Sequence, residues 1–297
     1  MLKVSSTVNQ QYLLELEGIL FEAAPSPWSL ILNRKTKVLI LEGIFENREH
    51  AEKEIQKINE LLPLNIDQNK IGNLNESWEK AYKTHFQSWS YKDFKFVPEW
   101  ERKHLDQNAS LSCIYIDPGM AFGTGTHETT RLCIELMVDI FYQKNLPKNR
   151  FLDVGCGSGI LSILAQIVGF QNILGIDNDE NAIINSKKNL FLNFESSKIN
   201  FMKKCINTIE ANPFNCIVAN IQADILMTHS NRLIRSLYKN GNLILSGILD
   251  YEVDEVSRTF QKQLIASNLH ARTQTRQKNE WFALHIELQS MIDEPRI

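Results

Sequence analysis

The sequence predicts an α/β protein: a doubly wound, mainly parallel sheet over residues 93–297, preceded by a small α+β domain over 1–70, with a linker helix over 71–92. Three observations predict it. Residues 150–177 read RFLDVGCGSGILSILAQIVGFQNILGID, which joins a buried strand, a glycine turn, a helix, a second strand and a terminal carboxylate. Beyond Asp177, strand-like runs go on alternating with helical ones, as they do where crossover helices join parallel strands. The first seventy or so residues instead follow the order βαββαβ.

In the small domain, residues 2–6 read as a strand and 9–22 as a helix with Leu13, Leu16 and Leu20 at helical spacing. Residues 28–32 and 38–44 are apolar, strand-like runs around the turn-forming Asn33-Arg34-Lys35-Thr36. Residues 49–62 form a second amphipathic helix with Ile55, Ile58 and Leu62 inward, and 66–71 are expected to close the sheet as an edge strand. That order suggests a ferredoxin-like sandwich. In 75–89, Trp78, Tyr82 and Phe86 recur every four residues and share one helix face, expected to pack on a neighbouring domain and to set the angle between two.

The larger domain opens with strands over 94–97 and 111–116. Phe151, Leu152 and Val154 around Asp153 suit a parallel strand covered on both faces. Gly155, Gly157 and Gly159 follow at once, and a turn this tight needs residues free of Cβ constraints. Residues 160–168 are apolar around most of their surface, as a helix packed on a sheet is, and 172–176 read as the next strand. A helix over 179–191 has Asp179 and Glu180 favourably placed at its N-terminus. A buried strand over 216–219, a helix over 223–238, a strand over 242–246, a helix over 254–266 and a strand over 281–288 complete the domain.

A length of 297 residues suffices for two domains, and 43% hydrophobic with 23% charged residues is ordinary for a soluble globular chain. A net charge of −3 supplies no basic field for bare nucleic acid. Cys113, Cys133, Cys156, Cys205 and Cys216 form no C-x-x-C pair and no metal spacing, so they read as reduced thiols of a cytoplasmic protein. Neither a signal peptide nor a membrane span is expected.

The glycine spacing narrows the ligand. A dinucleotide fingerprint is G-x-G-x-x-G/A, but the sixth position from Gly155 is Ile160, and the third glycine arrives one residue early. This G-x-G-x-G spacing resembles the first motif of S-adenosylmethionine-dependent methyltransferases, whose ligand has no phosphate. Asp177 falls where an acidic side chain can take the two hydroxyls of a ribose. A glycine turn with no ligand is the alternative, and it leaves the place of Asp177 unexplained.

Residues 117–130 read DPGMAFGTGTHETT, a segment costly to order unless ordering it serves something. It is expected to fold over the cofactor, with Phe122 offering an apolar surface near a sulfonium cation and Thr124, Thr126, Thr129 and Thr130 offering hydroxyls. His127 invites a catalytic role, but the sequence places no partner carboxylate, and orienting the loop by hydrogen bonding is the favoured reading. Asn220 ends the strand over 216–219 at the carboxyl edge of the sheet. Its carbonyl can accept a hydrogen bond from an amine and aim the nitrogen lone pair at a methyl group; alternatively it caps the following helix.

With their order and spacing, these segments closely resemble the family of ribosomal large-subunit protein eleven methyltransferases, PrmA. DPGMAFGTGTHETT, LDVGCGSGIL, GIDND, VANIQAD and LILSGIL match its successive blocks, SWEKAYKTHF resembles its linker and NEWFALHI its last strand. The resemblance covers most of residues 75–288. It implies the class I methyltransferase fold, S-adenosyl-L-methionine as cofactor, contacts from Thr130, Gly155, Asp177 and Asn220, and recognition of the ribosomal protein by the N-terminal domain. Gly157 and Phe122 join the candidate cofactor contacts from their places in the turn and the loop. Gln222 and Ser88 depart from the family pattern, where an apolar or aromatic residue and a proline are usual; Gln222 bears on how the substrate amine is seated.

The chain is thus expected to be a cytoplasmic, monomeric protein N-methyltransferase acting on lysine side-chain and/or N-terminal amines of a large-subunit ribosomal protein. Asn220 is its candidate catalytic residue, and no metal, membrane or direct nucleic-acid partner is expected. Two other classes stay open. A methyltransferase for nucleic acid or a glutamine amide commonly shows Asn/Asp-Pro-Pro-Tyr after this strand, whereas Asn220-Ile221-Gln222-Ala223 has no aromatic platform. A non-catalytic ribosome-binding module would have no use for the glycines, Asp177 and Asn220.

Overall fold

A computed structural model of the chain describes residues 2–22, 26–33, 38–73, 87–104, 111–117, 127–142, 144–209 and 213–289. They fall into two compact units, Met1–Thr84 and His85–Ile297. The face expected from Trp78, Tyr82 and Phe86, and the candidates Phe122, Thr124 and Thr126, lie outside the described residues.

The first unit runs β1 (Leu2–Val8), α1 (Leu13–Glu22), β2 (Trp28–Asn33), β3 (Val38–Phe45), α2 (Arg48–Leu61) and β4 (Gly72–Asn73). The strands form one sheet in the order β2-β3-β1-β4, antiparallel throughout. Alternate residues of β3 turn inward, burying Leu39, Leu41 and Phe45. Asn47 starts α2 by accepting the His50 N–H at 2.9 Å, and Ala51, Ile55 and Ile58 face the core from it. The closing strand differs from expectation. Asn59 accepts the Ile66 N–H at 2.9 Å and donates to its carbonyl at 3.0 Å, so that residue cannot pair with β1. Asp67 then accepts the Asn69 N–H and winds Gln68–Lys70 into a 3₁₀ turn. Pairing with β1 starts only at Gly72.

The second unit carries β5 (Trp89–Tyr91), β6 (Phe94–Pro98), β7 (Ser112–Ile116), α3 (Glu128–Phe141), β8 (Arg150–Val154), α4 (Ile160–Ile167), β9 (Asn172–Asp177) and α5 (Glu180–Asn193). It continues through β10 (Ile199–Lys203), β11 (Phe214–Asn220), α6 (Ala223–Thr228), α7 (Ser230–Arg235), β12 (Leu237–Leu249), α8 (Val253–Ala266), β13 (His270–Lys278) and β14 (Trp281–Gln289). Seven strands form a mixed sheet in the order β10-β9-β8-β11-β12-β14-β13. The first five are parallel, and β14 is antiparallel to both its neighbours. The winding reverses between β8 and β11, which opens a crevice at their carboxyl ends. Phe151, Cys216 and Val218 enter one core with α3 and α4, while Leu152, Val154, Ile217 and Ala219 enter another with α6, α7 and α8. Burial on both faces is why these strands are apolar without a break. Strands β5, β6 and β7 form a separate three-stranded sheet.

Residues 223–238 are not one helix. The chain breaks at His229, and β12 starts already at Leu237, opposite Phe214. Around the break, the Thr228 and Ser230 hydroxyls each donate to a backbone carbonyl, of Asp224 and Met227, at 2.8 Å, a local alternative to continuing the helix. Helix α3 and strands β5, β10 and β13 are additions to the expected elements. Among the described residues no helix is long and apolar enough to cross a membrane.

Candidate functional site

Strands β8, β9 and β11 end side by side at the crevice, and each supplies part of one site. β8 ends in the glycine turn. Gly155 has φ +69°, and a Cβ there would lie 2.4 Å from the Ile221 side chain; Gly159 has φ +79°, and its Cβ would lie 2.7 Å from the Phe201 ring. Conformation and space both exclude a side chain. The close approach of Gly155 to Ile221 sets the turn against the residue that follows Asn220.

Gly159 is also the N-cap of α4 and brings no side chain to the task. Asp153 takes it over from β8, its Oδ2 accepting the Ser162 N–H at 3.1 Å and the Ser162 hydroxyl at 2.7 Å. Asp153 is 1% exposed and its Oδ1 has no partner. Burial pushes its carboxyl up to about 7, against the lowering effect of the Ser162 bonds. Most N–H groups of the turn itself are engaged within the protein. Gly155 and Cys156 both donate to the Ile176 carbonyl at 2.9 Å, Gly159 to the Cys156 carbonyl at 2.7 Å, and Ile160 to Ser158 Oγ at 3.4 Å.

Asp177 ends β9, half-buried, and staples the turn. Its Oδ2 accepts the Gly157 N–H and its Oδ1 the Asp179 N–H, each at 3.0 Å. Each oxygen keeps a further lone pair for a hydroxyl donor. Asn220 ends β11 and is 8% exposed. Its Nδ2 donates to Thr130 Oγ1 at 3.2 Å, and its Oδ1 is buried without a partner. It does not cap α6, whose N-cap is Gln222.

Thr130 is fully buried in the first turn of α3. His127 is the N-cap of that helix, its Nδ1 accepting the Thr129 N–H at 3.4 Å and its ring meeting Trp281 edge-on at 5.1 Å. Gln222 is exposed, and Ser88 donates to the Glu101 carboxylate.

The fold therefore gathers Gly155, Gly157, Asp177, Asn220 and Thr130 at one crevice. It also brings in two residues that sequence reasoning missed. The strand pattern places Asp153 only as a strand residue; its signal is a carboxylate ahead of a helix whose N-cap is glycine. Asn189 of α5 donates to the Ser158 carbonyl at 2.9 Å from a fully buried position. Its signal was the pair Asn189 and Asn193, four apart and so on one helix face.

A family model described as ribosomal protein L11 methyltransferase (PrmA) matches residues 4–289. The ribosomal protein L11 methyltransferase of Ruminiclostridium cellulolyticum is 32% identical over 260 residues, which cover 83% of this chain and 78% of that protein. The one from Staphylococcus epidermidis is 34% identical over 186 residues, 62% of this chain and 58% of its own length. The crystal structure of ribosomal protein L11 methylase from Lactobacillus delbrueckii subsp. bulgaricus superposes with a TM-score of 0.59 at 28% identity, over 69% of this chain and all (100%) of that one. The family match begins within β1 and ends with β14, so it takes in both units, and the chain belongs to the ribosomal protein L11 methyltransferase (PrmA) family.

Proposed function

We propose that this protein methylates ribosomal protein L11, taking methyl groups from S-adenosyl-L-methionine and delivering them to lysine side-chain amines, the N-terminal amine, or both. One observation carries the amine reading. Asn220 Oδ1 is a buried acceptor without a partner at the carboxyl edge of the sheet, oriented by the bond that Nδ2 gives Thr130. Leaving such a carbonyl unpaired costs about 1–3 kcal/mol, which a donor arriving with a ligand recovers. An amine N–H is such a donor, and the nitrogen lone pair is then held in a set direction.

The remaining residues suit the cofactor. Asp177 offers two carboxylate oxygens to a pair of ribose hydroxyls, and Gly155 and Gly157, in the turn that Asp177 staples, are assigned the neighbouring backbone contacts. Thr130 and Asn220 border the same crevice. Phe122 is assigned the apolar cover of the sulfonium on its chemistry alone. When bound, the cofactor supplies a methyl group on a positively charged sulfur, already activated for displacement. The protein then has to align the amine, and orientation of this kind can supply roughly 7–11 kcal/mol of a barrier. The amine has to be neutral. For a lysine with pKa about 10.4 this costs roughly 4–5 kcal/mol at pH 7, and for an α-amine near 7.7–8.0 only about 1. Desolvation in the crevice lowers the lysine cost, and water takes the proton.

We read the first unit, with its antiparallel order β2-β3-β1-β4, as a ferredoxin-like sandwich that recognises L11; the linker expected over 71–92 narrows to the stretch between β4 and β5, because β4 pairs with β1 and β5 with β6. The reaction is placed in the cytoplasm, with the enzyme a monomer that needs no nucleic acid. Purified enzyme, L11 and methyl-labelled cofactor test the reaction by mass spectrometry of the product. Label on lysine or the N-terminus is expected, and label confined to glutamine amides or to RNA would overturn the amine reading. Crosslinks from L11 trapped during turnover should reach the first unit; crosslinks confined to residues 85–297 would refute its recognition role.

A further inference from the structure

Helix α5 meets β7, at the edge of the three-stranded sheet, through two asparagines. Asn193 accepts the Tyr115 N–H at 2.8 Å and donates to the Tyr115 carbonyl at 2.7 Å. Asn189, one helical turn earlier, accepts the Asp117 N–H at 2.8 Å and donates to the Asp117 carbonyl at 3.2 Å. Four helical residues rise about 6 Å and two strand residues about 6.6 Å, so the two spacings match. The side-chain amides stand in for a neighbouring strand.

Asn189 does something that Asn193 does not. Its Nδ2 also donates to the Ser158 carbonyl at 2.9 Å, between Gly157 and Gly159, and both Asn189 and Ser158 are fully buried. Gly157 gives its N–H to Asp177. On the other side, Asp117 is where the segment DPGMAFGTGTHETT begins, and its carboxylate pairs with Lys188, the residue before Asn189.

We propose that Asn189 is a positioning residue for cofactor binding. It fixes the Ser158–Gly159 peptide, whose N–H holds the Cys156 carbonyl at 2.7 Å; the Cys156–Gly157 peptide so held aims the Gly157 N–H at Asp177, and Asn189 ties that geometry to the backbone of Asp117. The inference rests on the reading that the glycine turn and Asp177 hold the cofactor.

Two matched substitutions separate positioning from general support. Asn189→Asp turns the donations to Ser158 and Asp117 into contacts between acceptors. Asn193→Asp does the same to its donations to Tyr115 and Asn189, but leaves the glycine turn untouched. Calorimetric titration with S-adenosyl-L-methionine should show binding weakened by about tenfold or more for Asn189→Asp and by less than about twofold for Asn193→Asp. Equal effects, or unchanged affinity in Asn189→Asp, would overturn the proposal. Hydrogen exchange on the unaltered protein decides the matter even where Asn189→Asp fails to fold. Adding S-adenosyl-L-methionine should protect the Asp117 amide and leave the Tyr115 amide as it was; an unprotected Asp117 amide counts against the coupling. Asp177→Ala tells the two readings apart. If it too leaves affinity unchanged, the cofactor assignment fails; if it alone weakens binding, only the role of Asn189 fails.

Discussion

Replacing Asp177 with alanine removes an observed structural contact and a proposed ligand contact at once, and the two are separately measurable. In the ligand-free protein the carboxylate accepts N–H groups from Gly157 and Asp179, each at 3.0 Å. A hydrogen bond to a charged group contributes about 1.5–3 kcal/mol, and Asp177 is only half-buried, so the low end applies. The two bonds together are worth about 2–4 kcal/mol. In a unit of this size that is a fall of roughly 5–12 °C in melting temperature. On the proposed reading the cofactor loses its two hydroxyl acceptors as well, about 3 kcal/mol or roughly a hundredfold in affinity. Asp177→Asn should lose comparable stability, because one of its two contacts becomes N–H against N–H. Thermal unfolding followed by circular dichroism without ligand, and calorimetry well below the lowered midpoint, read the two effects apart. A ligand-free midpoint within about 2 °C of wild type would show that the carboxylate does not hold the turn. An unchanged cofactor affinity would remove Asp177 from the binding site.

Three further outcomes are expected. His285 is buried, its ring beside Asn242 Oδ1 at 2.9 Å and Gln274, and burial holds it at about 4 against an ordinary 6.5. The fold thus favours the neutral ring, so its contribution is complete above about pH 6.5 and about 3 kcal/mol is lost as pH falls to about 4; urea unfolding across that window should be steeper for wild type than for His285→Gln, and equal slopes would refute this. Gly175→Ala sets a Cβ 2.5 Å from the Phe201 ring and should cost about 1–3 kcal/mol, part of which Phe201→Leu recovers; strict additivity in a double-mutant cycle would rule out the steric cause. Asn220→Ala should lower kcat more than it raises the KM for L11, while Asn220→Asp should stabilise the ammonium and regain activity as pH rises; a pH–rate profile shaped like wild type would count against the orienting role.

Where a residue's task is met by its near neighbours, the sequence was legible. Phe151, Leu152, Ile217 and Val218 are apolar because both sheet faces are covered, and that shows in a run of four or five letters. Gly155 and Gly159 show themselves because no other residue suits their backbone and their space. What stayed hidden depends on partners far along the chain. Asn189 and Asn193 satisfy backbone groups of Asp117 and Tyr115, 72 and 78 residues away, and their spacing marks a shared helix face without naming the partner it meets. Asn59 similarly disables the edge strand expected over 66–71. Strand β13 was unreadable for the opposite reason: it is an edge strand, mostly exposed, whose run of Arg, Thr and Gln carries no apolar alternation.

The way α4 is capped also bears on which ligands the crevice turns away. A helix N-terminus behind a glycine turn ordinarily attracts phosphate, because its N–H groups are unclaimed. Here Gly155, Cys156, Gly157, Gly159, Ile160 and Ser162 have given theirs to protein oxygens, two of the acceptors being the carboxylates of Asp153 and Asp177. A phosphate brought to this turn finds those six N–H groups already engaged. ATP and the dinucleotides carry the same adenosine as S-adenosyl-L-methionine but continue it with phosphate, which needs N–H donors that these six groups no longer offer. A chain extended by a cationic sulfur makes no demand on them, so the way the turn is hydrogen-bonded suits the one continuation and not the other.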